Sequence, residues 1–167
     1  MFQTGNIVVY GIHGVCRIVG TECQVRNHTE QIFLVLEPIG QPGSRYMVPT
    51  YNDAAMAKVK KLQTREELEG MLSSEAVRRD CWIRDEGQRK QYYRELITSG
   101  DRENLTAMVH TLYKHKAEQA SAGRKMHICD DNFLRDAEKI LTGEAAVVLQ
   151  LELDQAKQYI RSKLKTE

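Results

Sequence analysis

The only tryptophan of the chain, Trp82, stands in Cys81-Trp82-Ile83, between the pair Arg78-Arg79 and the charged run Arg84-Asp85-Glu86. An indole among guanidinium groups admits two chemistries. It can anchor a core, the commoner fate of a lone tryptophan. At a boundary among cations it can instead act as an apolar wedge that enters the minor groove of duplex DNA while the cations follow the phosphates. Its neighbours favour the wedge, because a position between helices and among arginines is a poor place to bury an indole. Downstream lie Arg89, Lys90, Arg94, Lys114, Lys116, Arg124 and Lys125, with His110, His115 and His127. A solvated helical face with i, i+4 ion pairs is the alternative reading of the same cations.

Other chemistries lack their minimum residues. There is no GxxxxGK[ST], no GxGxxG after a strand, no GxSxG and no HExxH, so phosphate-loop, dinucleotide, hydrolase and zincin activities are not expected. His13-x-x-Cys16 and His127-x-Cys129 are the near pairs of metal-ligand type, but they fall in different halves of the chain and make a poor tetrahedral site. A cysteine nucleophile with a histidine base would lack an orienting third group. The chain is therefore read as a non-enzyme, with no catalytic residue, metal site or cofactor assigned. Cys16, Cys23, Cys81 and Cys129 contain no CxxC pair and read mostly as small buried hydrophobes kept reduced in the cytosol.

Length and charge narrow the classes further. The 167 residues carry 24 Lys+Arg against 23 Asp+Glu, a formal net charge of +1. That balance excludes a simple, strongly basic nucleic-acid binder and an acidic disordered tail. No apolar run approaches the roughly 18–20 residues that span a bilayer, and the first residues lack the pattern of a signal peptide, so a soluble, cytoplasmic protein is expected. Charge is uneven along the chain: residues 78–127 hold 11 basic and 7 acidic side chains, and the segments on either side largely cancel that excess.

The elements that would position Trp82 change character near Leu62. Before it, Asn6–Tyr10, Val15–Val25, Gln31–Leu36 and Tyr46–Val48 are rich in β-branched residues and punctuated by Gly and Pro, and a fifth strand is read near Ala57–Leu62. After it, helical period dominates. Thr64-Arg-Glu-Glu67 is a capping box that opens a helix, with a break at Ser73-Ser74. A helix from about Asp85 to Thr98 closes at Ser99-Gly100. Asp101 caps the next, whose Leu105, Met108, Val109 and Leu112 form an apolar stripe and which ends at Ser121-Ala122-Gly123. Asp130 or Asp131 is expected to cap a fourth, stopped or kinked at Gly143, and a last helix is read from Ala145 to Leu164.

The order and spacing of these residues resemble a known family. Phe2-x-x-Gly5-Asn6-x-Val8-Val9-Tyr10-x-x-His13-Gly14-Val15, Phe33–Leu36 and Met47-Val48-Pro49 look like the N-terminal domain of the CarD family of bacterial transcription regulators. Trp82-Ile83, Arg89-Lys90, Tyr93, Ser99-Gly100-Asp101, Leu112-Tyr113, Ser121-Ala122-Gly123-x-Lys125, Phe133-Leu134 and Ala137-x-Lys139-Ile140-Leu141 extend the likeness over essentially the whole chain.

The resemblance implies an α+β protein: a small Tudor-like, SH3-like β-barrel over residues 1–63, then an all-helical domain of about five helices over residues 64–167. It also implies partners. The first domain would bind the β subunit of RNA polymerase, and the second would touch promoter DNA from the minor groove at the upstream edge of the melted bubble, stabilising the open complex. A monomer, nucleoid-associated through polymerase, is expected. Carried residue by residue, the wedge is Trp82, with Arg84, Arg89, Lys90 and Lys125 as candidate DNA contacts.

Some members carry arginines on the polymerase-facing edge where this chain has Gln24 and Met47, with Arg26 and Arg45 close by. Contact would then rest more on strand pairing and apolar surface than on charge. The segment from Trp82 to Ser99-Gly100 is about one helical turn longer than in shorter members. Which of Arg84, Gln88, Arg89 and Lys90 faces phosphate therefore stays open. The rival readings are a polymerase-binding adaptor whose helices recruit a protein through Trp82, and a small enzyme with an unrecognised site.

Overall fold

Strand-forming residues in the first part of the chain pair with their sequence neighbours, except that the last strand returns to pair with the first. The computed structural model describes residues 2–165, and the chain divides into two compact units, Met1–Leu62 and Gln63–Glu167. In the first unit β1 (Ile7–Tyr10), β2 (Val15–Arg26), β3 (Thr29–Pro38), β4 (Tyr46–Pro49) and β5 (Val59–Lys61) form one antiparallel sheet in the order β4-β3-β2-β1-β5. A short helix, α1 (Asp53–Met56), precedes β5 and is capped by the Asn52 side chain. Among the described residues β4 and β5 are the two edges and do not pair, so the sheet is open. This corrects the expected barrel: closure would need β4 and β5 to pair, and they lie at opposite edges of the sheet.

Two local devices shape that sheet. Asn27 and His28 both have positive φ (51° and 62°), the geometry of a two-residue turn whose twist matches a hairpin, and Arg26 pairs with Thr29 directly across it. A bulge between Ile18 and Gly20 lets Ile18 pair with Leu36 and Gly20 with Val35. Cross-strand partners share a face, so Val8, Cys16, Ile18, Leu34, Leu36, Val48 and Val59 collect on one side as the core.

The second unit is built from five α-helices: α2 (Arg65–Ser73), α3 (Glu86–Ser99), α4 (Arg102–Ser121), α5 (Ile128–Leu149) and α6 (Leu153–Leu164). A 3₁₀ turn over Glu75–Arg78 follows α2. Thr64 Oγ1 accepts from Glu67 N at 3.1 Å and Glu67 Oε2 accepts from Thr64 N at 2.9 Å, the reciprocal bonds of a capping box. α3 ends on Gly100 in the left-handed region (φ 64°), where a side chain would be strained. α4 is the central helix: Leu105 to Tyr113 are buried without a break, Thr106, His110 and Thr111 included, so the expected one-sided stripe is in fact an all-round core segment.

The last two helices depart from the sequence reading. α5 is capped by His127, not by Asp130 or Asp131; Asp130 is buried inside the first turn, and Asp131 pairs with Lys116 and Arg135. Gly143 does not stop the helix, which runs on to Leu149 and ends where Gln150 turns left-handed (φ 55°). The residues around Gly143 explain why. Glu144 is buried, accepts from Gln63 N at 2.9 Å and pairs with Arg102 at 2.8 Å, which holds that turn helical. The last helix accordingly begins at Leu153. Among the described residues no helix is long and apolar enough to cross a membrane.

Candidate functional site

Trp82 lies in the segment between the 3₁₀ turn and α3, and that segment is fastened at nearly every residue. Cys81 is buried; its N–H donates to Thr111 Oγ1 at 3.0 Å and its carbonyl accepts from Tyr93 Oη at 3.2 Å. Trp82 N donates to Asp80 Oδ1 at 2.9 Å. Asp85 caps α3 by accepting from Gln88 N at 2.8 Å. The indole is half-buried against the helical core. Trp82 is thus neither a fully buried anchor nor a fully exposed ring.

Two side chains stack on the ring. The His115 imidazole from α4 lies with its centroid 3.8 Å from the indole centroid at an interplanar angle of 22°. The Arg89 guanidinium from α3 sits 4.2 Å from the ring centroid. Arg89 is buried and its donors are engaged: Nε and Nη2 meet the two Asp130 oxygens at 2.9 and 3.0 Å, and Nη1 reaches the carbonyls of Ile83 and Arg84 at 2.9 and 3.4 Å. Of the cations expected to contact phosphate, Arg89 is the buried one. Four of the five guanidinium N–H groups are bonded within the chain and the side chain is buried, so little of it is presented to a phosphate.

The other cations divide in the same way. Arg78 donates to the carbonyls of Leu72, Ser74 and Lys163, and Arg79 to the Ala76 carbonyl and the Asn104 side chain. Lys90 pairs with Glu86 at 2.9 Å, and that hydrogen bond holds the Glu86 carboxyl below its ordinary range. Arg84, beside Trp82, and Arg124 and Lys125, in the segment before α5, are exposed. The structure thus leaves Arg84 and Lys125, of the expected DNA contacts, with side chains facing solvent.

Glu86 joins His127 and Cys129 in a cluster whose ligand atoms lie within 4.8 Å of one another, a triad the sequence does not show because Glu86 lies 41 residues before His127. Its chemistry favours an ion pair over a metal. The Lys90 ammonium is the cation on Glu86, and the cluster sits at the N-termini of α3 and α5, whose amide dipoles disfavour a further cation. The other near pair is no ligand set either. Cys16 is buried, with burial pushing its thiol up to about 11, while the His13 ring lies tilted against Tyr46 with centroids 4.3 Å apart. Cys23 is exposed, unlike the buried Cys16 and Cys81.

In the first unit three of the four expected polymerase contacts come together. The register places Gln24, Phe33 and Met47 on the face opposite the core, and the contacts add Arg26. Gln24 Nε2 lies 3.7 Å from Met47 Sδ, Arg26 Nη2 donates to Gln24 Oε1 at 2.9 Å, and the Arg26 guanidinium lies 5.3 Å from the Phe33 centroid. Arg45 precedes β4, exposed and outside this cluster. Val25 (69% exposed), Ile32 (51%) and Tyr51 (59%) leave apolar surface around this end of the sheet. The sequence reading missed Phe33 and Tyr51, whose rings meet edge-on at 6.1 Å. Strand alternation alone shows that Phe33 and Leu34 face opposite ways, but not which side is the core.

Comparison with known proteins locates a family likeness in this same unit. Residues 2–60 match the family model of the CarD-like/TRCF RID domain. No curated protein matches the chain.

Proposed function

We propose, from the premise that residues 2–60 form a CarD-like, RNA-polymerase-interacting domain, that this protein is a transcription regulator acting at the promoter. The first unit binds the β subunit of RNA polymerase through the Gln24–Arg26–Phe33–Met47 face and the open β4 edge. The helical unit contacts the minor groove at the upstream edge of the bubble, and Trp82 inserts there as a wedge that stabilises the open complex. The protein works by binding and not by catalysis, and it resides in the cytoplasm with the nucleoid.

The observation that carries the DNA half is the braced, half-buried Trp82 in a segment that also carries the exposed Arg84. Inserting an apolar side chain at a base step costs a few kcal/mol, least where the step is already distorted, as at the edge of a melted bubble. The protein then shifts the closed–open equilibrium by its differential affinity for the open state, about 1.4 kcal/mol for each factor of ten. Few cations are needed, because attachment to polymerase makes the DNA encounter intramolecular.

A polymerase complex on a fork-shaped promoter fragment separates this reading from the adaptor reading. Arg26→Glu is expected to remove binding to the β subunit, and Trp82→Ala to leave that binding intact while weakening the fork contact. A contact with DNA weakens steeply with added salt; a fork contact indifferent to salt would point to a protein partner for the helices.

A further inference from the structure

Arg89 is an expensive residue to keep where it is. A buried ion pair is commonly no more stabilising than well-packed apolar side chains of the same volume, so the Arg89–Asp130 pair is weak evidence for stability and better evidence for geometry. What it positions can be read from its bonds. The bidentate contact to Asp130, at 2.9 and 3.0 Å, fixes the plane of the guanidinium. Asp130 itself lies in the first turn of α5, where the helix dipole favours a carboxylate. From that fixed plane Arg89 holds the Ile83 and Arg84 carbonyls and also sits 4.2 Å from the Trp82 ring centroid. One side chain therefore sets both the backbone after Trp82 and the indole, and His115 from α4 adds a second stacking surface at 3.8 Å.

We propose that Arg89, oriented by Asp130 and assisted by His115, is the positioning residue that holds the Trp82 indole and its loop in the geometry that engages the promoter. The inference rests on the wedge reading above and deepens it: the rigidity of the wedge comes from α3, α4 and α5 together, not from the loop that carries it. Lysine would not replace Arg89, since a single ammonium can neither match both carboxylate oxygens nor stack as a plane. Rigidity of this kind raises the benefit of insertion because no ordering of the indole remains to be done on binding.

Trp82 is the only indole in the chain, so intrinsic fluorescence reports this ring alone. The test compares the full-length wild type with Arg89→Met/Asp130→Leu, which keeps apolar volume in place of the pair, with Arg89→Lys, and with His115→Ala. Each is read by Trp82 emission and acrylamide quenching, by circular dichroism, and by the lifetime of promoter complexes with polymerase. The expected result for Arg89→Met/Asp130→Leu and Arg89→Lys is retained helicity, a red-shifted and more quenchable indole, and a loss of complex lifetime towards that of Trp82→Ala. Unchanged emission and quenching in a folded variant would overturn the proposal. So would a loosened indole with full lifetime, provided that Trp82→Ala shortens it. If the pair variants do not fold, His115→Ala decides by the same readouts. If Trp82→Ala leaves the lifetime unchanged, the wedge reading fails, and the fluorescence still decides whether Arg89 holds the ring.

Discussion

At the residue scale the chain separates side chains that stay within the fold from those that face outward, and the separation is invisible in the sequence. Arg89 and Lys90 are neighbours of the same charge, yet one is buried against Asp130 and the other is half-exposed and paired one helical turn back with Glu86. Asp130 lies 41 positions after Arg89, and no local pattern announces that the two meet. Trp82 was legible as a special residue because it is single and set among arginines; the imidazole that stacks on it was not. Removing one partner of the buried pair leaves the other charge uncompensated. Asp130→Ala is expected to destabilise the helical unit by about 3–5 kcal/mol, measured by denaturant unfolding. A loss well under 1 kcal/mol would mean that Arg89 finds water or another acceptor.

At the element scale the local signals worked where capping chemistry decides and failed where tertiary contacts do. Thr64, Asp85, Gly100 and Asp101 mark helix ends by their own side chains or their own backbone freedom, and the helices begin and end there. Gly143 looked like a stop, but Leu141, Ala145 and Ala146 are buried on either side and Glu144 is tied to Arg102, so packing overrides the glycine. The Asn27-His28 turn was missed because His is not the residue that usually supplies the second left-handed position. A Cβ at Gly143 would meet no atom within 4 Å. Gly143→Ala is therefore expected to stabilise the protein by about 0.5–1 kcal/mol, through reduced freedom of the unfolded chain. The shift in unfolding midpoint measures it, and a lowered midpoint would show that this turn needs glycine for another reason.

At the scale of the whole molecule the cations of residues 78–127 divide between those bonded within the chain and those whose side chains face solvent. Arg78, Arg79 and Arg89 hold carbonyls or carboxylates of the chain, and Lys90 and Lys116 are in ion pairs. The exposed set includes Arg84, Arg94, Lys114, Lys116, Arg124 and Lys125, and Arg84 and Lys125 are the members that the proposed DNA contact uses. The α+β order of a sheet unit and a helical unit was readable from the change of period near Leu62; that the sheet stays open was not, because closure depends on whether the two edge strands meet, which no local pattern shows.

The whole chain also has a directional response to pH. Burial is the first cause that lowers the pKa of His13, His110 and His115, with Lys58 acting on His13, and Arg78 and Lys114 on His110. Around His115, Asp130 and Glu118 oppose that lowering and Arg89 adds to it. The unfolded chain then binds protons that the folded chain refuses as pH falls below the ordinary histidine value of 6.5. Stability is expected to be full above that value and to decline below it, and a melting temperature higher at pH 5.5 than at pH 7.5 would contradict the assignment.

The central claim is that Trp82 acts on melted promoter DNA from a polymerase-bound protein. The measurement that tests it most directly is the dissociation rate of open complexes formed by polymerase from the same source with wild-type protein, with Trp82→Ala, or with neither. The expected result is that wild type slows dissociation, and that Trp82→Ala, still bound to polymerase, gives complexes that decay close to the rate without the protein. Complexes that live as long with Trp82→Ala as with wild type would contradict it.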